Sequence, residues 1–141
     1  MTSRWLFVAV AVASLALSGC ERHMESAVTQ PARVVPIEGT DLNQVILTEE
    51  AAQRIAVATA PVVESGPDRV AVPVAAVIYD AEGATWVYTE VAPLTFVRQR
   101  VTIARVTGAV AVLQSGPPPG VPVVIVGAAE LLGSEYGVEG E

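Results

Sequence analysis

One cysteine, Cys20, lies in surroundings typical of a covalently modified residue. Arg4 supplies a positive charge, an apolar run extends from Trp5 to Leu17, and the small residues Ser18-Gly19 lead directly to Cys20. This is the pattern of a bacterial lipoprotein export signal, in which the cysteine thiol becomes linked to diacylglycerol. A membrane-spanning helix would need about 20 apolar residues, more than this run provides. We therefore predict that residues 1–19 are removed and that the mature chain begins at the lipidated Cys20.

Two possible metal ligands, His23 and Met24, follow between Glu21 and Glu25. Imidazole and thioether groups suit soft metal ions such as copper or silver. Two ligands in a segment without a sustained apolar period form only a weak site, and a solvated linker is the favoured interpretation. We therefore predict no metal site and keep His23 and Met24 as weak candidates.

The rest of the chain lacks the residue types that catalysis needs. His23 is the only histidine, so a Ser-His-Asp or Cys-His arrangement has no base within the predicted domain. The chain contains neither a GxGxxG nor a GxxxxGK[ST] phosphate-binding motif. Glu49-Glu50 resembles a catalytic carboxylate pair, but it favours the first turn of a helix, where successive side chains point apart. We predict that the protein is not an enzyme and uses no cofactor.

A basic strip is the most promising feature for binding a partner. Arg98 and Arg100 lie two residues apart on a predicted strand, so they share one face with Phe96 and Thr102. One interpretation is an ordinary solvent-facing strip. The other is a docking strip for acidic residues of a partner, because arginine pairs well with carboxylates and is enriched at interfaces. Phe96, Arg98 and Arg100 are therefore the tentative partner-binding residues.

The composition limits the kinds of partner. The 141-residue chain has a formal net charge of −7 and contains no lysine. A strongly acidic protein is a poor ligand for nucleic acid and for anionic lipid surfaces. Attachment to a membrane must therefore come from the lipid on Cys20.

Four segments follow from the hydrophobic pattern: a signal peptide over 1–19, a flexible tether over 20–40, a β domain over 41–132 and a polar tail over 133–141. Hydrophobic residues make up 52% of the chain but aromatic residues only 5%, so small and β-branched side chains must fill the core. Short valine-rich runs alternate with turn residues, and Thr48 precedes one short helical segment. The expected fold is mainly β, a small antiparallel roll or barrel of about seven strands with one short helix.

The order of these short motifs resembles the C-terminal part of the periplasmic adaptor subunits of RND-type efflux pumps, also called membrane fusion or HlyD-like proteins. The resembling residues are Val72-Pro73-Val74-Ala75-Ala76-Val77, Gly83, Trp86-Val87-Tyr88, Phe96 to Val101, Ser115-Gly116, Gly120, Val123-Val124, Gly127-Ala128 and Leu131-Leu132. Upstream, Val45 to Val62 resembles the segment that precedes the longer domains of the family. The resemblance implies a membrane-proximal domain alone, in which the lipoyl, hairpin and middle barrel portions are missing around Glu64 to Asp68.

The function implied by the resemblance is that of a lipid-anchored, non-enzymatic accessory or adaptor-like component of an efflux transporter. It would dock on the periplasmic face of an inner-membrane transporter, with or without a full-length adaptor. The expected location is the cell envelope, facing the periplasm, with the inner membrane preferred and the outer membrane left open. The alternative is a stand-alone envelope lipoprotein that binds a small apolar ligand or a soft metal ion.

Overall fold

The computed structural model describes residues 30–137, so Cys20, His23 and Met24 lie outside the described residues. The strands are β1 (Ala32–Pro36), β2 (Asn43–Leu47), β3 (Ala58–Pro61), β4 (Val63–Glu64), β5 (Val70–Pro73), β6 (Ile78–Tyr79), β7 (Thr85–Ala92), β8 (Thr95–Arg100), β9 (Thr102–Thr107), β10 (Val110–Ser115) and β11 (Pro122–Val126). The helices are α1 (Glu49–Arg54) and α2 (Ala128–Glu135), with one 3-10 turn over Val74–Ala76. Neither helix within the described range is long and apolar enough to cross a membrane.

The prediction of a mainly β, antiparallel fold is confirmed, but the sheets do not close into a barrel. The larger sheet has the order β1-β2-β8-β7-β11-β3, and β6 pairs with β7 beside this path. The smaller sheet has the order β4-β5-β10-β9. All pairings between described strands are antiparallel. The described chain thus forms two open sheets.

The chain passes from one sheet to the other at two buried valines. Val62 separates β3 from β4 and is 1% exposed, and Val101 separates β8 from β9 and is 2% exposed. The single long strand expected from Leu94 to Arg105 is therefore broken at Val101 into strands of different sheets. Such breaks explain part of the higher count, eleven short strands among residues 30–137 where the hydrophobic pattern predicts about seven.

The buried side chains form two clusters, and each contains residues from both early and late segments of the chain. The first is built around Tyr88, Phe96 and Leu131, under helix α2. The second is built around Val72, Leu113 and Val123, between the sheets. Full burial of one such aliphatic or aromatic side chain contributes about 1.5–3 kcal/mol, so these clusters supply the main stabilisation of the fold.

Strand β1 forms inside the segment that the sequence pattern assigns to the flexible tether. Its residue Val34 lies opposite Val45 of β2, and β1 forms the edge of the larger sheet. Pro36 ends the strand, which is compatible with an edge position because an edge strand does not need every N–H for pairing. The prolines that suggested a linker therefore flank a short strand.

Helix α1 begins as predicted at Thr48, whose hydroxyl accepts a hydrogen bond from the N–H of Ala51 at 3.1 Å. Glu49 and Glu50 lie in its first turn, and Glu50 pairs with Arg54 at 2.8 Å on the surface. The carboxylates thus stabilise the start of the helix and pair locally.

Helix α2 is longer than the sequence pattern predicts, since that pattern places the start of a polar tail at residue 133. The helix continues to Glu135, whose side chain is buried against the larger sheet. A carboxylate is tolerated at this position because the sheet supplies it with a charged partner and hydrogen-bond donors. The described chain therefore has two helices where the sequence predicts one, and the second helix covers the first core.

Candidate functional site

The predicted docking strip on β8 lies on one face of its strand, as the alternation requires, but that face is mostly covered. Phe96 is 0% exposed and Arg98 only 7% exposed, whereas Arg100 is on the surface. Phe96 belongs to the core under α2, and Arg98 is paired with Glu135 of that helix. The expectation of a solvent-facing strip is therefore wrong for Phe96 and Arg98. Among the three residues, only Arg100 is placed to meet a partner.

Arg98 is the centre of a buried polar cluster. Its Nε donates to Oε1 of Glu135 at 3.0 Å and lies 2.9 Å from Oε2 of the same carboxylate. The hydroxyl of Tyr88 donates to Oε2 at 2.5 Å, and Nδ2 of Asn43 lies 3.5 Å from Oε1. The Glu135 side chain is only 1% exposed, so its charge is compensated within the protein by Arg98 and by these donors.

Two aromatic rings enclose the guanidinium group of Arg98. Its Cζ atom lies 4.7 Å from the centroid of the Trp86 ring and 5.2 Å from that of the Tyr136 ring. Nη1 of Arg98 donates a hydrogen bond to the Tyr136 hydroxyl at 3.0 Å. Trp86 is held in turn by Asp80, whose Oδ2 accepts a hydrogen bond from the indole N–H at 2.8 Å. The cluster therefore fixes the end of α2 to strands β7 and β8.

The protonation states of this cluster follow from burial and charge. Burial, and next the hydrogen bond to Glu135, raise the pKa of the Tyr88 hydroxyl far above its ordinary value. Burial alone would lower the pKa of Arg98, but Glu135 and Tyr136 outweigh it and raise the pKa. The hydrogen bond from Trp86 lowers the pKa of Asp80. Tyr88 is thus a protonated donor, and Arg98 remains charged.

This arrangement suits a structural role better than acid–base chemistry. The Tyr88 hydroxyl is held protonated, and the Glu135 carboxylate is paired with Arg98, so both side chains are engaged within the protein. Every buried side-chain nitrogen and oxygen among residues 30–137 has a hydrogen-bond partner. The described residues also contain no cluster of three or more His, Cys, Asp or Glu side chains able to hold a metal ion.

Two open grooves lie elsewhere on the surface. A groove of about 290 Å³ is lined almost entirely by apolar groups of Ala60, Pro61, Val63, Ala71, Val72, Pro73 and Val110. A larger groove of about 430 Å³ lies beside α1 and includes the polar side chains of Glu49 and Gln53. The first is the better docking surface, because it adjoins exposed valines.

Sequence reasoning did not identify the apolar groove. Its residues come from four strands, β3, β4, β5 and β10, and each strand taken alone reads as ordinary core. The start of β10, Val110-Ala111-Val112-Leu113, is a continuous apolar run, so the sequence does not indicate which of its valines faces outward. No family model matches the chain, and comparison with curated proteins and with solved structures finds no significant match.

Proposed function

We propose that this chain is a lipid-anchored, non-enzymatic, adaptor-like component of an RND-type efflux transporter, and that it docks on the periplasmic face of the transporter. The support comes from the motif order that resembles the adaptor family, from the lipoprotein signal ending at Cys20, and from one feature of the fold. That feature is the hairpin between β4 and β5.

The β4–β5 hairpin falls where the resemblance implies that longer domains are missing. The N–H of Ser65 donates to the carbonyl oxygen of Arg69 at 2.9 Å, so the two ends of the turn lie together. The intervening residues 66–68 are exposed, and a Cβ placed on Gly66 would meet no atom within 4 Å. Insertions and deletions of whole domains are tolerated best at such exposed turns with adjacent ends. The hairpin is thus a suitable place for the family's additional domains to be present or absent.

The segments on either side of this hairpin belong to one folded unit. Strand β2, from the first segment, pairs with β8, and β3 pairs with β11 close to the C-terminus. The resemblance implies the same meeting of early and late segments in a membrane-proximal domain. The pairing supports an assignment of the chain to that kind of domain.

The anchor limits how far the domain can lie from the membrane. Twelve residues, 20–31, separate the start of the predicted mature chain from β1 at Ala32. Even a fully extended chain of this length spans at most about 40 Å. A lipid on Cys20 therefore keeps the domain within reach of the periplasmic surface of an inner-membrane transporter.

The proposal can be tested by crosslinking the full chain in its native cell, purifying it and identifying its companions by mass spectrometry. The matched control carries Cys20→Ala behind a signal peptide that is cleaved without lipidation, in place of residues 1–19, and should move to the soluble periplasmic fraction. We expect a multi-spanning transporter with the unaltered chain and a strong reduction with the control. Membrane retention of the Cys20→Ala variant would contradict the lipid anchor, and purification without any transporter would contradict the docking role.

A stand-alone lipoprotein that binds a small apolar ligand is the second candidate, favoured by the apolar groove of about 290 Å³. Ligand pockets usually enclose most of the ligand surface and have comparable or larger volumes. The same purified material distinguishes the two functions, since this candidate requires a stoichiometric apolar molecule in native mass spectrometry and no transporter.

A further inference from the structure

The outer face of the smaller sheet has an apolar centre that the second core does not use. Across this sheet, Val63 lies opposite Ala71, Ala71 opposite Val112, and Val112 opposite Arg105. Residues directly opposite one another in antiparallel strands point to the same face. The alternate residues Val72 and Ala111 point the other way, into the second core. The row from Val63 to Arg105 therefore belongs to the face turned away from that core. Its central residues, Ala71 and Val112, are 3% and 4% exposed, whereas Val63 and Arg105 at its two ends are open to solvent.

Large apolar side chains on this face remain open to solvent. Val63 is 52% exposed and Val110, which lies opposite Pro73 in the neighbouring row, is 43% exposed. Both line the apolar groove of about 290 Å³. Single exposed valines are common on proteins, but valines gathered around an apolar groove mark a surface that another molecule covers.

Two arginines lie at the borders of this face, whereas the nearest carboxylate in the strands, Glu64, lies opposite Val70 and so belongs to the other face. Arg105 ends the cross-strand row on the edge strand β9 and is exposed. Arg69 immediately precedes β5, and continuing the alternation of that strand by one residue places it on the same face as Ala71. Strand spacing puts the two arginines about 12 Å apart, on either side of the apolar centre. The ion pairs formed among residues 30–137 involve only Arg54 and Arg98, so Arg69 and Arg105 have no carboxylate partner in the described part of the chain.

We propose that this face binds a different protein that presents an apolar surface flanked by carboxylates. A second copy of the chain fits less well, because a two-fold contact brings the same face of both copies together. Both copies would then contribute the same arginines and apolar groups, and the strands would place no carboxylate on either face. The inference rests on the proposed function only in requiring a protein partner, and it adds the surface and the chemistry of recognition.

The test uses the full chain in its native cell with a photoreactive amino acid in place of Val110. The control carries the same photoreactive residue in place of Val91, a valine of β7 that is 56% exposed and lies on the other sheet. We expect Val110 to crosslink to a foreign protein and Val91 to give little product. The crosslinked peptide should contain apolar residues with Asp or Glu close by.

Charge reversal tests the arginine contribution. Arg105→Glu should reduce the Val110 crosslink at least about fivefold, the change expected when an exposed ion pair becomes a like-charge contact. The matched control is Arg33→Glu, which reverses an exposed arginine on β1, the edge strand of the larger sheet. This control should leave the crosslink unchanged.

Several results would overturn the inference: no crosslink from Val110, a crosslink to a second copy, to lipid or to residues 1–29 of the same chain, or a yield that Arg105→Glu does not lower. The inference and the proposed function can fail separately. A transporter recovered by general crosslinking while Val110 stays silent removes this face but keeps the docking role. An Arg105-dependent crosslink to a protein unrelated to transport keeps the face but removes the transporter.

Discussion

Arg98 shows how strongly a single residue can depend on distant parts of the chain. Its carboxylate partner lies 37 residues away on α2, and the two rings that enclose it belong to β7 and to the residue after α2. A charged group this deeply buried is costly unless it is paired and hydrogen-bonded. The packing of α2 against the sheet therefore depends on the pairing of Glu135 with Arg98.

Removing the charge of Glu135 should destabilise the protein strongly. Glu135→Gln leaves the Arg98 guanidinium buried without a counter-ion, and loss of one member of a buried pair costs about 3–5 kcal/mol. The control Glu50→Gln breaks the exposed pair with Arg54 and should cost no more than about 0.5 kcal/mol. Urea unfolding at pH 7, followed by circular dichroism, measures both values.

A second variant separates charge burial from packing at the same place. The triple change Tyr88→Phe, Arg98→Met and Glu135→Leu replaces the pair by apolar groups and also removes the buried hydroxyl that would otherwise lose its acceptor. We expect it to recover most of the stability that Glu135→Gln loses, because apolar replacements of buried pairs are often neutral or stabilising. Equal losses for Glu135→Gln and Glu50→Gln would contradict the importance of the buried pair.

The local pattern predicted which residues share a face but could not predict which face is covered. Strand alternation correctly places Phe96 and Arg98 on one side of β8. Their burial depends on helix α2, whose last turn contains Gly133, Ser134 and Glu135, and this polar composition suggested a tail. The residues next to Arg98 in the sequence would be the same whether its side chain faced solvent or paired with a distant carboxylate, so they could not predict its burial.

The start of helix α2 depends on one glycine. Gly127 occupies the N-cap position with φ of +91°, a left-handed conformation that favours glycine. A Cβ at this position would lie 3.1 Å from Cδ1 of Ile55, which follows α1. Gly127 therefore permits both the turn into α2 and the close approach of the segment after α1.

Two glycine substitutions in this region should have opposite effects. Gly127→Ala should destabilise the protein by about 1–3 kcal/mol through left-handed strain, with the contact to Ile55 adding to the loss. Gly133→Ala, inside α2 where a Cβ meets no atom within 4 Å, should stabilise it by about 0.5–1 kcal/mol through helix propensity. Thermal unfolding of both variants tests the pair, and a shift of the same sign would contradict this account of α2.

Elements with clear local signals were predicted, and elements defined by pairing were not. The Thr48 cap and the acidic first turn predicted α1 because both signals lie within one helical turn. Strand β1 is held by its pairing with β2 and has prolines around it, so its own residues indicated a linker. The break at Val101 is invisible locally because β8 and β9 have the same mixture of polar and apolar residues and are separated by a single residue.

At the scale of the whole molecule, the two sheets are joined by short connections at Val62 and Val101, and among the described residues the smaller sheet has no buried cluster of its own. Leu113 and Val72 of the smaller sheet share the second cluster with Val87 and Val123 of the larger one. Loss of either sheet would expose that cluster. We infer that the described residues fold as one cooperative unit and that tolerance to insertion differs sharply between its turns.

Insertion of ten Gly/Ser residues between Pro67 and Asp68 should leave this unit folded. The turn is exposed, and lengthening its loop from about 5 to about 15 residues costs only about 1 kcal/mol in closure entropy. The same insertion between Gly116 and Pro117 should prevent folding, because the Pro117 side chain is fully buried and a Cβ on Gly116 would lie 2.8 Å from Leu113. Circular dichroism melting and resistance to protease compare the two variants. Unfolding by the hairpin insertion would remove the main structural support for a domain insertion point at residues 64–68, whereas a selective effect at Gly116 supports it.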